Sequence, residues 1–281
     1  MAEILDGKAL SKKVKAQVKT GVEELLAKGK ETHLAVVLVG DDPASAIYVK
    51  HKHKDCKECG IISHDFRLSN ETSQEELLGL IDKLNADTSI DGILVQLPLS
   101  KGLDEHQVIE RIHADKDVDA FHPFNIGLLS IGMPRFAPCT PAGVMEFFEE
   151  YKIDIASKNA VVIGRSNIVG KPMAQLLSTK DATVTLCHSH TQNLAEICRG
   201  ADIVVCAVGK PKIFGKDYFK EGAVVIDVGM NRDSEGKLCG DVDFEEVEPI
   251  ASYITPVPGG VGPMTRAELM KNTFRASELH I

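Results

Sequence analysis

The sequence predicts an α/β fold built on parallel sheet and divided into two lobes. Apolar, β-branched runs of strand length alternate with helical patterns, the order expected of βα units. Those runs are apolar almost without a break, as suits strands covered on both faces. The 281 residues are enough chain for two cores.

The first half contributes the runs LAVVLVG (34–40) and DGILVQLPL (91–99). The second contributes NAVVIGR (159–165), ATVTLCHS (182–189), ADIVVCAVG (201–209) and GAVVIDVG (222–229). Between them, Ser73 with Glu76 has the spacing of a capping box, as does Thr265 with Glu268. Asp41-Asp42-Pro43 is a turn, and Ser45 is placed to cap the helix after it. Thr140-Pro141 reads as an N-cap followed by proline at the first helical position. From Ala120 to Pro141 the chain is rich in proline and glycine (Pro123, Gly127, Gly132, Pro134, Pro138, Pro141), which marks a crossing between lobes. The expected organisation is a first lobe over 1–120, a second over 139–264, and a C-terminal helix over 265–281 that packs back on the first.

Composition narrows the classes. Hydrophobic residues are 43% and charged residues 26%, the balance of a globular protein rather than a disordered one. A formal net charge of −9 argues against non-specific nucleic-acid binding, so no nucleic-acid partner is expected. No segment approaches the roughly 18 apolar residues of a membrane span, and the start lacks the apolar stretch of a secretory signal. The expectation is a cytoplasmic protein with no membrane association. Cys56 and Cys59 form a lone CxxC with no second pair to complete a zinc site, so the reading is reduced thiols and no metal.

The sharpest local feature is Gly164-Arg165-Ser166-Asn167-Ile168-Val169-Gly170-Lys171-Pro172, between the strand run AVVIG and the helical pattern MAQLL. A phosphate-binding strand–turn–helix needs a tight turn, exposed backbone N–H groups and the positive end of a helix. Ser166 stands where the GxGxxG pattern has its middle glycine, and a plain βα turn with no ligand is the competing reading. With the surrounding strands, the pattern indicates a Rossmann-like NAD(P)-binding domain. The second strand of this half ends Cys187-His188-Ser189 without the carboxylate that holds a ribose 2′-OH in NAD enzymes. Arg165 can face a 2′-phosphate and Ser189 can donate to it, which favours NADP over NAD.

In the first half, Tyr48 and Lys52 are four apart and share a helical face. The KHKHK run around Lys52 is by itself the composition of a solvated face. Two things weigh against that here. The helix follows the C-terminal end of a strand, where open α/β sheets bind ligands. Gln96 interrupts an apolar strand and needs a hydrogen-bond partner, for which a lysine ammonium is one candidate. A desolvated lysine also suits proton transfer. In Asp115-Lys116-Asp117-Val118-Asp119 one carboxylate can bind a donor-rich heterocycle edge, or all can serve the turn. Pro256-Val257-Pro258-Gly259-Gly260 is a defined backbone with room for close ligand approach.

Together these segments resemble the methylenetetrahydrofolate dehydrogenase/methenyltetrahydrofolate cyclohydrolase family, nearly end to end, from ILDGKAL (4–10) to TPVPGGVGPMT (255–265). The motifs are VGDDPAS with YVKHKHK, DGILVQLPL, KDVDAFHP, GRSNIVGKPMA and the Pro-Gly-Gly loop. The resemblance implies a catalytic, folate-binding first lobe. By the same resemblance Lys52 matches the catalytic lysine, Gln96 its partner, Tyr48 the ring that packs on folate, and Asp119 the carboxylate that holds the pterin. The implied substrate set is Tyr48, Lys52, Gln96, Leu97, Asp119, Pro258, Gly259 and Gly260. The implied cofactor set, for NADP, is Gly164, Arg165, Ser166, Ile168, Val169, Gly170, Pro172, His188, Ser189 and Gly229. It also implies a homodimer, and a cleft between lobes in which folate meets nicotinamide. Ser100, Ala114 and Ala120 depart from the family's Pro, Pro and Gly. The alternatives are a folate dehydrogenase without cyclohydrolase activity, another two-lobed NAD(P)-dependent dehydrogenase, or a silent nucleotide-binding protein.

Overall fold

The computed structural model describes residues 1–280, the side chains of 43–47 excepted. In chain order the elements begin β1 (Glu3–Ile4), α1 (Gly7–Ala27), β2 (His33–Val39), α2 (Pro43–Cys59), β3 (Ile62–Leu68), α3 (Gln74–Ala86) and β4 (Gly92–Val95). Next come α4 (Glu105–Arg111), α5 (Pro123–Ser130), α6 (Cys139–Glu150), β5 (Asn159–Ile163), α7 (Gly170–Ser178), β6 (Thr183–Cys187) and α8 (Leu194–Arg199). The chain closes with β7 (Ile203–Cys206), β8 (Val224–Asp227), β9 (Asn231–Arg232), β10 (Leu238–Cys239), α9 (Phe244–Val247), β11 (Tyr253–Ile254) and α10 (Val261–Leu279). Two units result: Met1–Ser11 with Pro138–Thr265, and Lys12–Ala137 with the chain from Arg266 onward.

In the Lys12–Ala137 unit three parallel strands run in the order β3-β2-β4. β2 and β4 are apolar and buried, apart from His33 at the start of β2. α3 lays Leu77, Ile81 and Leu84 on Ala35, Val37, Ile93 and Val95, the spacing of one helical face. It starts at the expected capping box, in which Ser73 Oγ accepts from Glu76 N and Glu76 accepts from Ser73 N. From β2 the chain goes first to one side of the strand and then to the other, so the C-terminal ends of β2 and β4 form the crevice where such sheets bind ligands.

The other unit holds a six-stranded parallel sheet in the order β1-β11-β8-β7-β5-β6. Its reversal point lies between β5 and β7. A core of Val161, Ile163, Val204, Val225 and Ile254, with Phe214 and Phe219, fills one face.

The structure differs from the sequence reading at three places. The first residues do not belong with 12–120, because β1 adds a parallel strand to β11 and Leu5 N donates to Ile254 O. Within 120–141, where the chain passes from one unit to the other, α5 forms with Pro123 in its first turn and the His122 ring accepting from Phe124 N. Thr265 does not cap the last helix, which begins at Val261; Pro263 is tolerated because first-turn N–H groups have no helical partner. Thr140 likewise lies inside α6 rather than capping it, and its hydroxyl bonds that of Thr265 at 2.9 Å. The cap assigned to Ser45 falls outside the described residues.

Candidate active site

In the Lys12–Ala137 unit, α2 carries Tyr48, half-buried, and Lys52, 9% exposed. Gln96 leaves the C-terminal end of β4, its N–H bonded to Val37 O in the sheet. Lys52 Nζ donates to Gln96 Oε1 at 2.9 Å. Gln96 Nε2 donates to Leu97 O at 2.7 Å, which fixes the amide so that its oxygen faces the ammonium. The two residues stand 44 apart in sequence and meet at the crevice. One turn beyond Lys52, the buried Asp55 carboxylate takes Lys15 Nζ at 2.6 Å and Arg266 Nη1 at 3.3 Å. Burial raises the Tyr48 hydroxyl pKa while the Arg266 charge works against the rise, and the phenol stays neutral at physiological pH.

The three aspartates of 115–119 separate by environment. Asp117 is buried and accepts from His122 N and Asn125 Nδ2, both at 2.8 Å, and burial raises its pKa. Its turn is held from below by Lys116, whose Nζ donates to the carbonyls of Leu84, Asn85 and Asp87. Asn272 Nδ2 grips Val118 O at 2.9 Å. Asp115 lies by His280, 3.6 Å from its Nε2. Asp119 is half-buried at the tip of this pinned turn. The next residue, Ala120, has φ +60° and is 1% exposed, a left-handed conformation that costs an L-residue energy. Ser100 packs at the mouth of the same crevice, its hydroxyl 3.1 Å from Asn70 Oδ1 and 3.4 Å from Val39 O.

In the other unit, Gly164 follows β5 with φ +119°, and a Cβ there would lie 2.1 Å from Ala207 O, at the end of β7. A Cβ on Gly170 would lie 1.9 Å from Gly164 O. Both glycines are therefore required by the chain's approach to itself at the sheet's reversal point. Ser166, which replaces the middle glycine, turns its hydroxyl inward and accepts from Val169 N and Gly170 N at 3.1 and 3.3 Å. Arg165, Asn167 and Ile168 are exposed, Val169 is half-buried and Pro172 is buried in the first turn of α7. His188 N donates to Thr191 Oγ1, and His188 Nδ1 accepts from His190 N, leaving Ser189 exposed in the turn between. The cradle shape and its exposed guanidinium fit a phosphorylated dinucleotide.

The loop at 256–260 belongs to this unit. Gly260 N donates to Pro256 O at 2.8 Å, and Gly259 has φ +117°. Gly260 is buried; its carbonyl oxygen packs so closely on the first turn of α1 that a Cβ on Gly7 would lie 1.8 Å from it. Pro258 and Gly259 are the more open part. The sequence reading missed the buried pair Asp227 and Asp241 beside Gly229; aspartates inside the apolar run VVIDVG and after Gly240 were the available signal.

Comparison with known proteins decides the family. The catalytic-domain description of tetrahydrofolate dehydrogenase/cyclohydrolase matches residues 5–119, and the NAD(P)-binding-domain description of the same family matches 138–281. The chain belongs to this family. It is 58% identical to the Bifunctional protein FolD of Ruminiclostridium cellulolyticum over 275 residues, covering 98% of this chain and 97% of that one. The crystal structure of the bifunctional FolD methylenetetrahydrofolate dehydrogenase/cyclohydrolase from Campylobacter jejuni superposes with TM-score 0.98 at 50% identity over 100% of both chains. The Trypanosoma brucei enzyme, solved with NADP cofactor and inhibitor, superposes with TM-score 0.94 at 38% identity over 99% of this chain and 98% of that chain.

Proposed function

We propose that in this family member Lys52 and Gln96 carry the cyclohydrolase chemistry, that Tyr48 and Asp119 hold the folate, and that Arg165 and Ser189 read the 2′-phosphate of NADP. The enzyme oxidises 5,10-methylenetetrahydrofolate to the 5,10-methenyl cation with NADP and hydrolyses that product to 10-formyltetrahydrofolate. NADP, when bound, supplies the hydride acceptor.

The observation that carries the reading is the 2.9 Å bond from Lys52 Nζ to Gln96 Oε1 at the end of β4. Hydrolysis adds water to the electrophilic methenyl carbon, breaks one C–N bond of the bridge and releases a proton. An ammonium held against a neutral amide oxygen, with little exposure, is placed to pass protons between water and the leaving nitrogen. Gln96 orients Nζ without neutralising it, as a carboxylate partner would. Asp119, half-buried at the tip of its turn, offers its carboxylate to the N–H edge of the pterin. Tyr48, kept neutral, offers a ring face for stacking. Leu97, Pro258, Gly259 and Gly260 complete the substrate set. Gly164, Ser166, Ile168, Val169, Gly170, Pro172, His188 and Gly229 complete the cofactor set.

An assay that follows reduced cofactor and methenyl intermediate together, with NADP and NAD in parallel, tests this. Reduction and hydrolysis should both proceed, faster with NADP. The Lys52→Ala variant should reduce cofactor yet accumulate the methenyl species; unchanged hydrolysis in that variant overturns the lysine's role.

The same reading includes a homodimer in the cytoplasm, with no nucleic-acid partner, as the family resemblance and the net charge of −9 suggest. Sedimentation equilibrium at micromolar concentration should give twice the 30.5 kDa chain mass. Among the described residues no helix is long and apolar enough to cross a membrane.

A further inference from the structure

We propose that Asp241 and Asp227 are positioning residues for the dinucleotide: two buried carboxylates that hold the loops leaving β7 and β8 in the shape the cofactor meets. The proposal rests on the NADP reading of this unit and deepens it.

Asp241 is 0% exposed and Asp227 is 3% exposed. Asp241 Oδ2 accepts from Val208 N at 2.6 Å and Gly209 N at 3.1 Å, and its Oδ1 accepts from Lys210 N and Asn231 Nδ2, both at 2.9 Å. Asp227 Oδ1 accepts from Gly229 N and Asp241 N, and its Oδ2 from Val242 N, all at 2.9 Å. Three stretches far apart in sequence, 208–210, 229–231 and 240–242, thus converge on two side chains. A loop that leaves a sheet loses its ladder partners, and its buried N–H groups need acceptors. An ionised carboxylate offers about four acceptor directions, enough to gather several such groups at once.

The packing shows that the arrangement is built in. A Cβ on Gly229 would lie 2.2 Å from Asp241 Oδ1, and one on Gly240 would lie 1.8 Å from Asp227 Oδ2. Glycine at both positions is what lets the carboxylates reach the backbone. The location is also specific. Residues 208–210 begin immediately after Ala207, the residue whose carbonyl Gly164 abuts at the reversal point of the sheet. That is where open parallel sheets bind dinucleotides. The backbone facing the cofactor there is therefore set from beneath by side chains that do not themselves need to touch it.

A purely structural role would lower stability and both activities together. A positioning role separates them, because hydrolysis of methenyltetrahydrofolate needs no dinucleotide. In Asp241→Asn an amide NH₂ meets backbone N–H groups, so residues 208–210 must move. Equilibrium binding of NADPH, read by its fluorescence, should weaken by about tenfold or more, as expected when supporting contacts shift a site by a fraction of an ångström. The hydrolysis rate should stay within about twofold, since the loops lie in the other unit from Lys52. Hydrogen exchange by mass spectrometry should quicken at 208–210 and 229–231 and not in β5 or β6. Asn231→Ala, which deletes one donor, should weaken NADPH binding by a smaller factor and serves if Asp241→Asn does not fold. Wild-type NADPH affinity in Asp241→Asn, or in Asn231→Ala where the first variant is unfolded, overturns the proposal. Equal losses of NADPH affinity and hydrolysis overturn it too. Failure of the unaltered protein to bind NADPH would instead overturn the cofactor reading.

Discussion

The Lys52 region of one unit and the Gly164 region of the other use the chain in opposite ways. Around Lys52 the polar groups are side chains: an ammonium carried mid-helix by α2 and an amide oxygen just past the end of β4. Around Gly164 they are main chain, shaped by glycines where the backbone nearly touches itself. A side-chain site tolerates change in the backbone beneath it. Ala120, left-handed next to Asp119, and Ser100, hydroxyl-bonded to Asn70, shape that unit's backbone without supplying a reacting group. A backbone site has no such slack, because one added methyl group at Gly164 or Gly170 collides with a carbonyl that cannot swing away.

The largest expected effect sharpens the first half of that contrast. Lys52→Met should cut hydrolysis by roughly 10²–10⁴-fold, followed through the loss of methenyl absorbance, while NADPH binding is retained. A loss smaller than about twofold would mean that the ammonium does no chemistry.

Gly170→Ala probes the second half. With its Cβ 1.9 Å from Gly164 O, the turn must open, at a cost of roughly 2–4 kcal/mol in stability. Thermal unfolding and NADPH titration should both show it, and an unchanged midpoint with full affinity would break the contrast.

Arg165→Ala asks whether any side chain matters in the backbone half. Loss of one charge-assisted contact should lower kcat/KM with NADP by about tenfold, with little change for NAD. Equal loss for both cofactors would remove Arg165 from 2′-phosphate recognition.

Burial, with the neighbouring Asp241 charge adding to it, raises Asp227 from 3.8 to about 7 despite the backbone bonds that work the other way. A carboxyl whose folded pKa is raised binds its proton more tightly in the native state. Its stabilisation is full below pH 3.8 and is lost as pH rises through about 7. Asp227→Asn should flatten that part of the stability profile in urea titrations at stepped pH; an unaltered slope would assign the titration elsewhere.

The smallest effect concerns Ala120. Replacing it with glycine relieves a left-handed alanine worth about 1–2 kcal/mol but frees the unfolded chain by about 0.4–1 kcal/mol. The net stabilisation should be about 0–1.6 kcal/mol in denaturant midpoints, with the folate KM nearly unchanged. A clear destabilisation would show that the alanine methyl packs productively.

All six apolar runs read from the sequence are strands; five are nearly unbroken buried Val, Ile, Leu and Ala, which has few other uses between βα turns, and β6 (TVTLC) is an edge strand of alternating exposure. β3 was missed: it lies at the edge of its sheet, and ISHDFRL is polar enough to pass for a loop. β1 and β11 were missed because two residues carry no periodicity. Both errors at helix starts arise because the helix begins before the expected cap, at Cys139 and at Val261, with Pro141 and Pro263 inside the first turn.

What the residues determined alone were properties that depend on near neighbours. These are the strand and helix pattern, the glycines that demand unusual backbone, and the presence of one lysine, one strand-end glutamine and a cluster of aspartates. What only tertiary structure decided were meetings between distant segments. Lys52 lands on Gln96; Asp117 is consumed by its own turn; the first strand joins the nucleotide-binding sheet; and Asp227 and Asp241 gather three loops. The physical reason is that a polar side chain's role follows from which backbone groups it must satisfy once water is excluded, and those groups arrive from elsewhere in the chain.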